Sequence, residues 1–266
     1  MRFDTSHTLS DLSDFFPINS QSLPNDKLFL LGAMRLARNA GPYSYMEIGS
    51  FLGGSLAPFL MDSLCDVVLS IDDRGRIQPD ERGIRYDYSR FTTQSMLNEL
   101  ARCHIPTEKL TTFDGSIDAL TGVSPAWFDV AFIDGEHTDE ACFRDFLWTI
   151  PLMKSDSIVM FHDSTFIYKA LKLIMVYLNK QQVPYLFFKK SNSEMSTLLF
   201  GAYRNFDPLQ YFGVGEDAPA FFSRSEAFIL DRQFRNRIRF RFAPRKLLKR
   251  QLPIRAEIEV ATIEKM

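Results

Sequence analysis

Two aspartates and two histidines stand directly after apolar runs, where such side chains can bind metal or move protons. Residues 130–133 read V-A-F-I and are followed by Asp134, Gly135, Glu136 and His137; residues 156–161 read D-S-I-V-M-F and are followed by His162, Asp163 and Ser164. Carboxylates at 134 and 163 supply hard oxygen ligands of the kind a magnesium ion takes. An ion held there would orient two substrate hydroxyls and lower the pKa of one of them. His137, three residues after Asp134, is spaced to accept the released proton. His162, beside Asp163, is a third candidate for metal or substrate. The bland alternatives are that Asp134 caps the following helix and that both histidines are packed, hydrogen-bonded side chains near the surface.

These groups need a rim on which strand ends meet, and the chain supplies one. Residues 45–55 read Y-M-E-I-G-S-F-L-G-G-S. They predict a buried strand, a tight turn at Gly49, a helix entry kept low by Gly53 and Gly54, and Ser55 as its cap. Leu56, Phe59 and Leu60 then recur at helical spacing. Glu47 ends the strand, and a carboxylate facing the loop suits a cationic ligand group. Neither G-x-G-x-x-G nor the lysine of a P-loop is present. Residues 66–73 predict a second buried strand ending in Asp72 and Asp73; Asp72 lies 25 positions after Glu47, where a nucleotide fold places the acid that accepts the ribose hydroxyls. A third strand, 110–113, runs into Asp114-Gly115-Ser116, and 117–120 predict the start of a helix. Helices are expected at 25–39 with Asn25 as cap, 92–103, 139–148 and 165–179, and a terminal hairpin at 185–188 and 195–200. The charged stretch 74–90 reads as a loop. Five strands alternating with helices predict an α/β, doubly wound, Rossmann-like sheet.

E-I-G-S-F-L-G-G-S resembles motif I of the class I S-adenosylmethionine-dependent methyltransferases. The resemblance implies that S-adenosyl-L-methionine is bound by Glu47, Gly49, Ser50, Gly53, Gly54, Ser55, Asp72, Asp73 and Asp134. Asp114, Gly115 and Ser116 resemble the family's adenine-contacting loop. The I-D-G-E-H and F-H-D strand ends are similar to those of the sugar O-methyltransferases of natural-product biosynthesis and their cephalosporin-biosynthesis relatives, a methyltransferase family 24-like subgroup. This covers residues 28–201. It implies seven strands with the last antiparallel, Mg²⁺ on Asp134 and Asp163, and His137 as general base. The implied reaction is O-methylation of a small hydroxylated acceptor such as a sugar or glycan intermediate. His162 departs from the pattern, because metal-binding members carry an acid there and imidazole is a poor magnesium ligand. The other readings are a catalytically inactive methyltransferase-like domain that binds a nucleotide or partner, and a metal-dependent hydroxylase-like relative.

The 266 residues, 45% of them apolar, suffice for one large domain. The expected division is a methyltransferase domain over 1–204, with an N-terminal arm at 1–24, and an irregular C-terminal extension over 205–266. The net charge of −2 argues against general nucleic-acid binding. Residues 232–255 nevertheless carry ten basic residues and no acid. There Arg235, Arg237, Arg239 and Arg241 alternate with a strand-like period, followed by Leu247, Leu248 and Leu252. That stretch suits a solvated tail, a homo-oligomer contact, an anionic membrane surface or a phosphorylated substrate. Cys65, Cys103 and Cys142 form no C-x-x-C pair, and no leader or membrane span is read, so a cytoplasmic protein is expected.

Overall fold

The computed structural model describes residues 12–242 and 254–255. The rest, including His7, Leu247, Leu248 and Leu252, lie outside the described residues. A short helix α1 (Leu12–Phe15) leads to α2 (Pro24–Ala40), β1 (Tyr43–Ile48), α3 (Ala57–Met61) and β2 (Cys65–Asp72). The small strands β3 (Ile77–Pro79) and β4 (Arg85–Asp87) precede α4 (Thr93–Arg102), β5 (Leu110–Asp114), β6 (Phe128–Ile133), α5 (Asp139–Thr149), β7 (Met153–Phe161) and α6 (Tyr168–Lys180). Then come β8 (Tyr185–Lys190), β9 (Ser196–Phe200), α7 (Pro208–Phe212), β10 (Gly215–Glu216), α8 (Ala218–Phe242) and β11 (Ile254–Arg255).

Among the described residues the main sheet has the order β10-β8-β9-β7-β6-β1-β2-β5. Strand β1 runs parallel to β2 and β6, β2 to β5, and β6 to β7. Strand β9 is antiparallel to both β7 and β8. This is the doubly wound sheet with its seventh strand reversed, extended to eight by the two-residue β10, which pairs antiparallel with β8. All residues of β1 and β6 are buried, and most of them are apolar. Successive side chains go to opposite faces. Tyr45, Phe132 and Met160 join helices α2, α3 and α4 in one core. Met46, Ile133 and Phe161 join α5, α6 and Phe221, Phe222 and Ile229 of α8 in the other.

Several local expectations are corrected. The helix expected from Asn25 starts one residue earlier, at Pro24, where the missing N–H of proline costs nothing. The helix is capped by Asp26, whose carboxylate accepts the Leu23 amide at 2.9 Å; Asn25 donates instead to the Asn192 carbonyl at 2.9 Å. Ser55 does not cap α3, which begins at Ala57; its hydroxyl donates to Glu47 at 2.5 Å. The turn after β5 is a single 3-10 turn, Ile117–Ala119, not a helix start. The 74–90 stretch contains the antiparallel β3–β4 pair. The alternating arginines from Arg235 to Arg241 lie on helix α8, not on a strand, so the extension is helical over 218–242 where irregular chain was expected. Helix α8 begins well upstream at Ala218, and extending an existing helix is far cheaper than nucleating one.

Candidate functional site

The carboxyl ends of β1, β2, β6 and β7 form one rim. Its centre is the contact between the turns after β1 and β6. Gly49 has φ +88°, and a Cβ on it would collide with the Asp134 carbonyl. Glycine is therefore required there both for conformation and for space. The Asp134 amide donates to the Ile48 carbonyl at 2.8 Å and the Gly49 amide to that of Ile71 at 2.8 Å. These bonds lock three strand ends together.

A first cavity, about 60 Å³, opens over this contact and is lined by Gly49, Ser50, Gly54, Ser55, Asp72 and Asp134 among others. Asp72 accepts the Phe51 amide at 2.9 Å and stands 3.6 Å from the Arg74 guanidinium. Burial pushes its carboxyl pKa up against the pull of Arg74. Phe51, with φ +46°, turns its ring onto Phe91 and Tyr88 at 4.6 and 5.7 Å between centroids, making an aromatic wall. Asp73, Gly115 and Ser116 line an adjoining recess of about 20 Å³ together with Asp72. Asp114 lies outside both cavities, mostly exposed, and pairs with Arg74 at 3.1 Å. Gly53 does not line them either; it packs over Met96 and Leu100. Glu47 is fully buried beneath the turn, where Tyr45 and Ser55 donate to its two oxygens. Burial pushes its carboxyl up to about 8. Its carboxylate therefore supports the glycine turn from below and does not line the cavity.

A second cavity, about 190 Å³, lies beside the first and holds Asp134, His137, His162 and Asp163. The four predicted residues converge. His137 Nε2 is 3.1 Å from Asp163 Oδ2 and 3.6 Å from Asp134 Oδ1. His162 Nδ1 is 3.2 Å from Asp134 Oδ1 and 3.4 Å from Asp163 Oδ2. Burial opposes charge on both rings, but the two aspartates outweigh it and hold both imidazoles above their ordinary pKa. Burial opposes the Asp163 carboxylate as well; His137 and His162 overcome it and hold the group below the usual carboxylate range. Asp163 itself has φ +50°, and its carbonyl accepts the Phe166 amide at 2.7 Å.

The remaining walls come from residues that local pattern did not single out. Asp26 reaches in from the start of α2; Arg82, Tyr86 and Tyr88 come from the β3–β4 region, Phe166 from the loop after β7, and Glu194 from the β8–β9 turn. Arg82 lies over the Phe166 ring at 4.0 Å and pairs with Asp80 at 2.6 Å. An acid at the third helical position after a proline is a helix-start signal, so Asp26 was visible as a cap; its second role towards His162 was not. Gln21, Tyr88, Asp134 and His137 line both cavities, so the two open onto each other at the Asp134–His137 turn.

Asp134, His162 and Asp163 are the group among the described residues that could hold a metal, with one ligand atom from each and all three within 4.8 Å of one another. Magnesium asks for an oxygen octahedron in which it keeps several waters. A ring nitrogen set between the two carboxylates does not fit that requirement.

Residues 46–164 match a family model described as a methyltransferase domain, family 24. No curated protein matches the chain. Among solved structures, the O-methyltransferase NovP superposes with a TM-score of 0.51 at 12% identity, over 66% of this chain and 78% of NovP. The O-methyltransferase TomG from Streptomyces achromogenes gives 0.46 at 13% identity, over 73% of this chain and 88% of TomG. Identities this low speak to the fold alone. The sheet order and the glycine turn after β1 agree with that match, so residues 46–164 are similar to a methyltransferase domain on a fold shared with these O-methyltransferases.

Proposed function

We propose that the protein transfers a methyl group from S-adenosylmethionine to a hydroxyl of a small acceptor, with His137 as general base. The observation that carries this reading is the junction of the two cavities at Asp134 and His137. The donor belongs over the glycine turn, with Asp72 positioned for its ribose. The acceptor belongs in the larger cavity. That space, about 190 Å³, is small beside the roughly 300–1,000 Å³ of drug-sized sites, and suits a single ring. Aromatic faces on one side and carboxylates with imidazoles on the other suit a polyhydroxylated ring, such as a sugar or glycan intermediate.

In the transfer, the acceptor oxygen forms the new bond to the methyl carbon as the carbon–sulfur bond breaks. The electron pair stays on sulfur, and the sulfonium charge is lost. Little charge has to be stabilised, so the protein's work is alignment and removal of the hydroxyl proton. His137 faces the junction and accepts that proton when its ring is neutral. Asp163, 3.1 Å from Nε2, orients the ring and favours the imidazolium that results. No metal step is needed.

Incubation with methyl-labelled S-adenosylmethionine and a panel of sugars, phenols and carboxylic acids tests the reading. Label on an acceptor oxygen supports it. Tight cofactor binding with no transfer to any acceptor would instead indicate a binding domain, and turnover that needs oxygen and a reductant would indicate a hydroxylase-like relative.

A further inference from the structure

We propose that Asp134, His162 and Asp163 form a site for a nitrogen-preferring transition-metal dication of the zinc or cobalt class, in preference to magnesium. Three features of His162 carry the inference. First, its Nδ1 is buried and makes no hydrogen bond, although oxygens of Asp134 and Asp163 lie 3.2 and 3.4 Å away. Two ligands of one ion sit side by side, not in line. With metal–ligand bonds of about 2.0–2.2 Å, neighbouring donors are separated by roughly 3–3.5 Å. The spacing fits shared coordination of one ion.

Second, the far ring nitrogen is already engaged. His162 Nε2 faces Asp26 Oδ2 at 3.4 Å. Asp26 cannot swing away: it accepts the Leu23 amide at 2.9 Å, the Ser193 hydroxyl at 2.6 Å and the Glu194 amide at 3.0 Å. A carboxylate at Nε2 keeps the proton there and turns the Nδ1 lone pair towards Asp134 and Asp163. Carboxylate, imidazole and metal in series is how proteins fix the tautomer of a metal-binding histidine. Third, a lone pair facing two carboxylate oxygens inside a protein is repulsive unless a cation lies between them. A proton on Nδ1 is the competing occupant.

The donor set decides which ion. Imidazole nitrogen favours zinc, cobalt and their neighbours, whereas magnesium gains little from it. The cavity leaves the open side of the site free for water or acceptor oxygens. The inference concerns binding alone, so it stands or falls apart from the methyl-transfer reading.

The test uses the full chain, stripped with chelator and without cofactor or acceptor. Equilibrium dialysis against Zn²⁺, Co²⁺ and Mg²⁺ separately, with metal analysis, should show a single zinc or cobalt ion bound on the order of 100-fold more tightly than magnesium. The cobalt form should show ligand-field absorption. His162→Ala should abolish the tight site, and His162→Asp should move the preference towards magnesium. His162→Gln, which keeps the bulk but not the ring nitrogen, replaces the alanine variant if that one fails to fold. His104→Ala, at a surface turn, should change nothing. Equal affinity for magnesium, no bound ion at all, or a preference indifferent to both His162→Gln and His162→Asp would overturn the proposal; the second of these would leave a proton as the occupant.

Discussion

Glu47 sits fully buried among uncharged donors and close enough to Asp134 and Asp72 for their charges to oppose its ionisation. Its carboxyl is pushed from 4.5 up to about 8. The folded chain therefore keeps a proton that the unfolded chain releases, and stability falls as pH rises between those two values. Above and below that window this group contributes no slope. Glu47→Gln removes the titration while retaining the contacts to Tyr45 and Ser55. Urea midpoints at about pH 5 and about pH 8 should show the variant gaining on the parent with rising pH; a constant difference would mean that Glu47 titrates normally. His137 is tested by rate. His137→Ala should lower kcat by about 10²–10⁴-fold with cofactor affinity nearly unchanged. Because neighbouring carboxylates raise its pKa, the parent should gain activity as pH passes through a value above the ordinary imidazole range, and the variant should lose that limb. A fall of less than about tenfold would assign the proton to another group.

Among the elements, the β3–β4 pair and α8 act together. The turn between the two strands is pinned from both sides. The Glu81 carboxylate accepts the Asp139 amide at 2.9 Å, and the Glu81 amide donates to the His137 carbonyl at 3.2 Å. From α8, Gln233 donates to the Glu81 carbonyl at 3.1 Å and Asn236 to that of Arg82. Phe228 stacks on Phe166 at 6.1 Å, beneath Arg82. Helix α8 thus holds the wall of the larger cavity although it contributes no lining residue. Each lost side-chain bond should cost about 0.5–1.5 kcal/mol. In the Gln233→Ala, Asn236→Ala double variant, amide exchange across 77–87 should quicken and acceptor KM should rise. Unchanged exchange in that segment would show that the hairpin stands without α8.

At the scale of the whole molecule, the first cavity is assembled from distant parts of the chain. Ser20, Gln21 and Ser22 precede α2, Gly49, Ser50, Phe51, Gly54 and Ser55 follow β1, Gln78 and Tyr88 come from the hairpin region, and Gly135 and His137 follow β6. A ligand there bridges all of them and is lost on unfolding. S-adenosylhomocysteine at about 100 times its Kd should add roughly 2.7 kcal/mol, which for a domain of this size is a Tm increase of roughly 5–11 °C. Calorimetric scans with and without ligand measure it. No shift, with the variant Asp72→Ala behaving as the parent does, would move the cofactor out of this cavity. No described helix is long and apolar enough to cross a membrane.

The strands, their alternation with helices and the acids at their ends could be read from the amino-acid order alone. Strands buried on both faces are mostly apolar, and a turn that needs positive φ and no Cβ must be glycine, as at Gly49. Such constraints are local, so they leave local marks. The convergence of Asp134, His137, His162 and Asp163 followed from topology once β6 and β7 were taken as parallel neighbours. Other features required the folded chain. Asp26 meets His162 across 136 residues, and nothing near Asp26 distinguishes that role from an ordinary helix cap. The charged 74–90 stretch is compatible with a loop or with exposed strands, and pairing between β3 and β4 decided it. The alternating arginines satisfy a strand period, yet Asp231 and Arg235 pair at 2.8 Å one helical turn apart. Burial of Phe221, Phe222 and Ile229 upstream carries the helix through them. Charges tolerate several backbones when solvent is available, so their conformation is set by what the neighbouring apolar residues can bury.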